Sequence, residues 1–342
     1  MGCDIIIPIW NKKELTKNCI DSIVRCTIYP YKIIAVDNAS NLSTKEYLES
    51  LKKQDRFDFI LIRNEQNLGN TKAVNQGIVA SRGEFICILD NDTVVTPGWL
   101  EEMVAIAQSQ GNIGIVNPLS NTLGTSPRTN SARDIEECAR ECLKYKGQYV
   151  ELGACVGFCT VVKREVIDKI GGWDEAFSPG YFDDTEYSYR AMKAGYKSVC
   201  AKGAYVYHSE HASFKDKNLE KFFKKNEELF YQKVGRPKRI LYILTKDNRD
   251  YFEKLKKEVY DLVNHLNWVA IFRKHSLRSL ERIKHMRIKF AIISDNFFRV
   301  RCLFKVLVKK KRFTHIFVDD RALFNTLRGL KRLHKAEVNI LT

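Results

Sequence analysis

Along the first 110 residues short apolar runs alternate with amphipathic stretches, and this alternation predicts a repeating strand–helix pattern. Residues 4–9 read as a strand, 12–25 as a helix and 31–36 as a second strand. A helix over 43–53, a strand over 57–63, a helix over 71–80 and a strand over 85–89 follow. The last of these, Phe85-Ile86-Cys87-Ile88-Leu89, is apolar at every position, the pattern of a strand covered on both faces. Short connections between such units specify a mostly parallel sheet with helices packed on it.

The pattern loosens up to residue 150, where Asn117-Pro118 and Ser126-Pro127 read as breakers. Beyond it a strand is expected over 153–163, a helical turn over 165–170, and helices over 184–193 and 219–233. Gly235-Arg236-Pro237 is the natural boundary, and after it the alternation restarts. Strands are expected over 239–244, 268–272, 289–294, 313–318 and 337–341, with helices between them. The sequence therefore specifies two domains, 1–234 and 235–342, the second a small Rossmann-like α/β unit.

Composition changes this picture in one respect. The chain carries 57 Lys and Arg against 41 Asp and Glu, a formal net charge of +16. From residue 235 onward there are 27 basic and 10 acidic residues, so all of the excess lies in the second domain. Such an asymmetry points to an anionic partner surface. Ten scattered cysteines show no zinc-finger spacing and read as reduced, packed thiols. No apolar run approaches the roughly 20 residues needed to span a bilayer. A strand signal starting at Asp4 leaves no room for a leader peptide.

The strand over 85–89 stops on Asp90-Asn91-Asp92. In an extended chain Asp90 and Asp92 leave the backbone on the same face, and two carboxylates so placed can hold a hard divalent cation. In open α/β sheets ligands bind outside the carboxyl ends of the strands. Asp37-Asn38-Ala39-Ser40 and Asn67-Leu68-Gly69-Asn70 fall at or just beyond two other strand ends.

Read in order, Asp4-Ile5-Ile6-Ile7-Pro8-Ile9-Trp10-Asn11, Val36-Asp37-Asn38-Ala39-Ser40, Asn67-Leu68-Gly69, Asn75-Gln76-Gly77-Ile78 and Leu89-Asp90-Asn91-Asp92-Thr93 form a series. Gly171-Gly172-Trp173-Asp174-Glu175-Ala176-Phe177 and Asp183-Asp184-Thr185-Glu186 extend it. The series resembles the family 2 glycosyltransferases of the GT-A fold, in the rhamnosyltransferase-like group that builds surface polysaccharides, over about residues 3–215. The resemblance implies an inverting, metal-dependent transfer of a sugar from a nucleoside diphosphate, UDP or dTDP, to a hydroxyl of a glycan or polyprenyl-diphosphate-linked acceptor. It implies a donor site of Pro8, Trp10, Asn11, Asp37, Asn67, Lys72, Asn75 and Asp90, with Asp37 accepting the pyrimidine N–H. Asp92 and His208 would hold Mn2+ or Mg2+, with His211 the alternative to His208. Asp184 would be the general base and Asp183 its supporting neighbour, at a position where the family more often has Glu. Trp173 and Asp174 would line the acceptor pocket.

Each assignment has a plainer alternative. Asp37 can close an Asx turn, Lys72 can be a solvated helix lysine, Trp173 a core aromatic, and Asp183 and Asp184 helix caps. At a helix N-terminus the Asp184 carboxylate is expected to have a lowered pKa. A nucleotidyltransferase could share the sheet and acidic ligands, but would not need the second acidic pair after Gly171-Gly172-Trp173-Asp174. A nucleic-acid-binding role is disfavoured, because the basic half lacks a recognisable motif or stacking platform. A carbohydrate-binding protein without activity would leave the acidic set unused. The segment 297–312 reads as a helix with one apolar side and a basic one, either a core helix with solvated lysines or one suited to an anionic membrane surface. The expected location is cytoplasmic, peripheral on the inner face of the cell membrane.

Overall fold

A computed structural model describes residues 2–54, 56–122, 135–209, 219–277, 280–283 and 285–341. The chain divides into two compact units, Met1–Lys233 and Val234–Thr342.

The first unit begins β1 (Cys3–Ile9), α1 (Lys13–Cys26), β2 (Tyr31–Asp37), α2 (Leu42–Lys52), β3 (Phe59–Arg63), α3 (Asn70–Ala80) and β4 (Phe85–Leu89). It continues through β5 (Thr93–Val95), α4 (Trp99–Ser109), β6 (Ile113–Leu119), α5 (Ile135–Leu143), β7 (Tyr149–Glu151), β8 (Cys159–Lys163) and α6 (Arg164–Ile170). After a 3-10 turn (Glu175–Phe177) come α7 (Asp183–Lys193), β9 (Lys197–His208) and α8 (Leu219–Val234). The strands form one sheet in the order β3-β2-β1-β4-β8-β6-β9-β5, with β7 beside β9. Neighbours from β3 to β4 are parallel, β8 runs antiparallel to β4 and β6, and β9 is parallel to β6.

Every residue of β1 and β4 is buried, as strands covered on both faces require. Helix α3 lies close over β1 because Gly77 has no side chain. A Cβ there would come within 2.3 Å of the Ile6 Cγ2. This approach fixes the start of α3 beside the carboxyl ends of β1 and β2.

The region the sequence left irregular holds β6, α5 and β7. Pro118 does not break β6, because β8 pairs with β6 only at Ile115 and Val116. Beyond that point the Asn117 side chain takes over, donating to the carbonyls of Val156 and Cys159 and accepting from the Val156 N–H at 3.1 Å. The expected strand over 153–163 is accordingly confined to Cys159–Lys163. Residues before it turn toward the strand ends.

The second unit comprises β10 (Arg239–Leu244), α9 (Arg249–Asn264), β11 (Trp268–Lys274), β12 (Ile288–Ile293), α10 (Phe298–Leu307), β13 (His315–Val318), α11 (Arg321–Gly329), α12 (Lys331–His334) and β14 (Glu337–Ile340). Its five strands are all parallel, in the order β12-β11-β10-β13-β14. Apolar clusters cover both faces, one led by Phe252, Leu255 and Val259 of α9, the other by Cys302, Val306 and Leu323. The strand order reverses between β10 and β13, where sheets of this kind bind ligands. Here Asp319 occupies that crevice, accepting from the backbone N–H groups of Thr245 and Lys246 and from the Thr245 hydroxyl.

Candidate active site

Two carboxylates and an imidazole meet at the end of β4. Asp90 and Asp92 follow that strand directly, and β5 then pairs antiparallel with β9, setting Thr93 opposite His208. The register carries His208 back over the acidic turn. His208 Nε2 stands 3.1 Å from Asp92 Oδ1 and 3.8 Å from Asp90 Oδ2. One ligand atom from each residue falls within a common 4.8 Å. Asn121 brackets the His208 backbone, accepting from its N–H and donating to its carbonyl, both at 2.9 Å. The Phe158 ring stacks on the imidazole with centroids 5.1 Å apart.

Adjacent ligands of a small divalent cation bonded at about 2.1 Å lie about 3 Å apart, so the His208–Asp92 spacing suits such an ion. Hard carboxylate oxygens with one imidazole nitrogen fit Mn2+ or Mg2+. Without a cation, burial pushes the Asp90 carboxyl up to about 7, against the pull of His208 and helped by the charges of Asp92 and Asp184. His211 lies outside the described residues.

The second acidic pair starts α7. Asp184 Oδ2 accepts the Gly157 N–H at 3.1 Å, and Oδ1 accepts the Thr185 N–H at 2.6 Å. The next residue along, Phe158, accepts the Asp90 N–H at 2.8 Å, so a single turn ties Asp184 to the Asp90 segment. Asp183 Oδ2 lies 3.4 Å from the Thr71 hydroxyl at the start of α3. The expected lowering of the Asp184 pKa is overturned. Burial raises it, outweighing the N–H donors of Gly157 and Thr185. Burial and the Asp184 charge also push Asp183 up to about 7.

The donor-side residues are held to different degrees. Pro8 is buried within β1, paired with Val36. Trp10 is half exposed, and Asn11 links to the β2 end by donating its backbone N–H to the Ser40 hydroxyl (2.8 Å) and accepting the Asn41 N–H on its side-chain Oδ1. Asn67 accepts from Asn38 at 2.8 Å and from the Gly69 N–H. Lys72 is exposed on α3, with no ion pair among the described residues.

Four of the expected residues are engaged by partners within the chain. Asp37 offers no free carboxylate: its side chain is 1% exposed, one oxygen accepts the Ser40 N–H, and the other is paired with Arg63. The group at the surface of that pair is the guanidinium. Asn75 has no N–H left for a phosphate, because it donates to the Trp173 carbonyl and to Glu175 and accepts the Trp173 N–H. Trp173 is core, stacked on Tyr187 at 3.8 Å. Asp174 caps the 3-10 turn through the Ala176 N–H and pairs with Lys233; burial opposes the charge, but these partners lower its pKa.

One residue that sequence reasoning passed over supports the acidic pair. Asn226 of α8 is fully buried and donates to the carbonyls of Phe177 (2.7 Å), Gly180 (2.8 Å) and Tyr181 (3.3 Å). Tyr181 and Phe182, immediately before Asp183, both have the left-handed backbone that non-glycine residues avoid, with φ of 72° and 66°. A polar residue inside a lysine-rich amphipathic helix was the only sequence signal available for Asn226.

The model of the glycosyl transferase family 2 matches residues 4–171. Residues 4–171 carry a family 2 glycosyltransferase domain. A 229-residue stretch is 30% identical to an uncharacterized protein, y4gI, of Sinorhizobium fredii, over 61% of this chain and 24% of that protein. The glycosyltransferase AglE of Haloferax volcanii is 27% identical over 200 residues, 58% of this chain and 63% of its own length. The chain thus spans from about a quarter to under two thirds of these relatives. The first unit has the GT-A fold. A solved structure titled GalNAc-T7 with UDP, GalNAc and Mn2+ superposes at a TM-score of 0.55 and 17% identity, over 68% of this chain and 48% of that one. Asp183, Asp184, His208 and Asn226 all lie beyond the matched family segment. Among the described residues no helix is long and apolar enough to cross a membrane.

Proposed function

We propose that this protein is an inverting, metal-dependent glycosyltransferase that moves a sugar from UDP or dTDP to a hydroxyl of a glycan or lipid-linked acceptor in polysaccharide biosynthesis. The observation that carries this reading is the Asp90–Asp92–His208 trio, within electrostatic reach of Asp184. Asp92 and His208, with Asp90, would hold Mn2+ or Mg2+, which supplies neutralisation of the charge that develops on the leaving nucleoside diphosphate. A solved relative in fold whose title names UDP and Mn2+ supports the same donor chemistry. Trp10, Asn11, Asn67 and the Arg63–Asp37 pair lie at the β1, β2 and β3 ends, where the donor base would rest. Lys72 remains free on α3 for the diphosphate side. Asp184, with its raised pKa, is suited to accept the acceptor hydroxyl's proton near neutral pH. Asp183 orients beside it, held by Thr71. One base and a single displacement give inversion at the anomeric carbon.

Calorimetry with UDP, dTDP, GDP and CMP, each with Mn2+, Mg2+ or chelator, tests the donor site. Metal-dependent binding of one pyrimidine diphosphate is expected, and Asp92→Ala should abolish it. In Asp184→Asn donor binding should persist while transfer falls about 10²–10⁴-fold. Binding that ignores both the metal and Asp92 would defeat the metal assignment. Near-normal transfer by Asp184→Asn would remove it as the base.

A further inference from the structure

Helix α10 is apolar on two opposite faces, which its role in the second unit does not explain. Phe298, Cys302 and Val306, each four residues apart, are buried against the sheet. Val300, Phe304 and Val308, also four apart, are exposed by 62%, 65% and 58%. At 100° per residue the second row points away from the first. Ile292, on β12 at the edge of the sheet, is exposed as well and shares a groove of about 570 Å³ with Val300, Phe304 and Val308. A soluble monomer seldom leaves so continuous an apolar strip in water.

The charged residues that line the groove have one sign. Arg301 and Lys305 line the same groove, and neither has an ion pair among the described residues. Lys310, Lys311 and Arg312 follow the helix and are exposed. Crowding extends to Lys309, whose pKa is lowered by burial and by the neighbouring charges of Lys289 and Arg239. Two acidic groups stand near the start of the helix: Asp295 is exposed and accepts the Ser276 N–H, and Asp320 is paired with Arg299. Two copies meeting through this strip would set these like charges against each other. An apolar strip with a basic rim instead matches a bilayer interface carrying anionic headgroups, with side chains entering the acyl boundary and cations remaining among the phosphates.

We propose that the α10–β12 surface is a docking site for an anionic lipid bilayer. The assignment stands apart from the transferase reading and survives if that reading fails. Flotation of the full chain with phosphatidylcholine vesicles, with and without phosphatidylglycerol, tests it. Binding is expected only with phosphatidylglycerol, weakening as salt is raised. Phe304→Asp should cut the bound fraction about tenfold, as should Arg301→Glu with Lys305→Glu. Val308→Asp provides a second position on the strip, and the melting curve of each variant identifies any that misfolds. Failure of the wild type to float with anionic vesicles would overturn the proposal. So would undiminished binding by folded Phe304→Asp and Val308→Asp. A wild-type dimer in sedimentation that Phe304→Asp dissociates would assign the strip to a second copy and also overturn it.

Discussion

Asp183 and Asp184 carry both the proposed chemistry and a cost to folding. Burial, and for Asp183 the adjacent Asp184 charge, raises both carboxyls above their ordinary range, Asp183 to about 7. A carboxyl raised in the folded state favours folding while protonated, and its contribution is lost as pH rises from the unfolded value of about 4 through the folded one. Thermal melts in chelator from pH 4 to pH 8 should therefore show the wild type losing stability relative to Asp183→Asn, by on the order of 1–2 kcal/mol. Equal slopes for the two proteins would contradict the raised pKa. The sequence displayed the acidic residues of the site plainly, because carboxylates at strand and helix ends are readable in one dimension. It did not display their surroundings. A helix N-terminus suggested a lowered Asp184 pKa, whereas desolvation by residues distant in sequence decides the direction. Arg63 could not be paired with Asp37 from sequence either, since the parallel register of β2 and β3 brings them together.

At the scale of elements, the strand–helix alternation up to β4 was legible because β1 and β4 are buried throughout, β2 over most of its length, and each helix is short. The stretch holding β6 and β7 was not, because Asn117-Pro118 carries the local signature of a break. Only the missing β8 neighbour and the Asn117 side chain make the proline tolerable there. Helix α8 shows the converse: its amphipathic pattern was clear, but its task was not. Through Asn226 it satisfies three carbonyls of the loop that delivers Asp183 and Asp184. Asn226→Ala should cost about 1–3 kcal/mol, the penalty for buried carbonyls left unpaired. On the proposed reading it should lower kcat at least tenfold and shift the pH–rate profile, with donor binding retained. A loss of stability with kcat and pH profile unchanged would show that Asn226 only packs.

At the scale of the whole molecule, one mixed and one wholly parallel α/β sheet, each with a ligand-type crevice, lie in one chain. Among the described residues, only the first gathers two carboxylates and an imidazole within ligand distance of one another at its strand ends. In the second, Asp319 fills the crevice on the Thr245 and Lys246 N–H groups, as a bound anion would. Titration of the full chain should give one nucleoside diphosphate bound per chain, with Asp319→Ala leaving affinity at the first site unchanged. Two equivalents bound to the wild type would contradict this assignment. The acidic trio also has a consequence in time. Asp90 and Asp92 leave the ribosome well before His208, and β9, which brings His208 back, is paired with β5, β6 and β7. No cation can be held by all three ligands until that late strand has been inserted. Any ion taken up there favours only chains that have closed the sheet, so it acts as a clasp on a finished domain as well as a partner in chemistry.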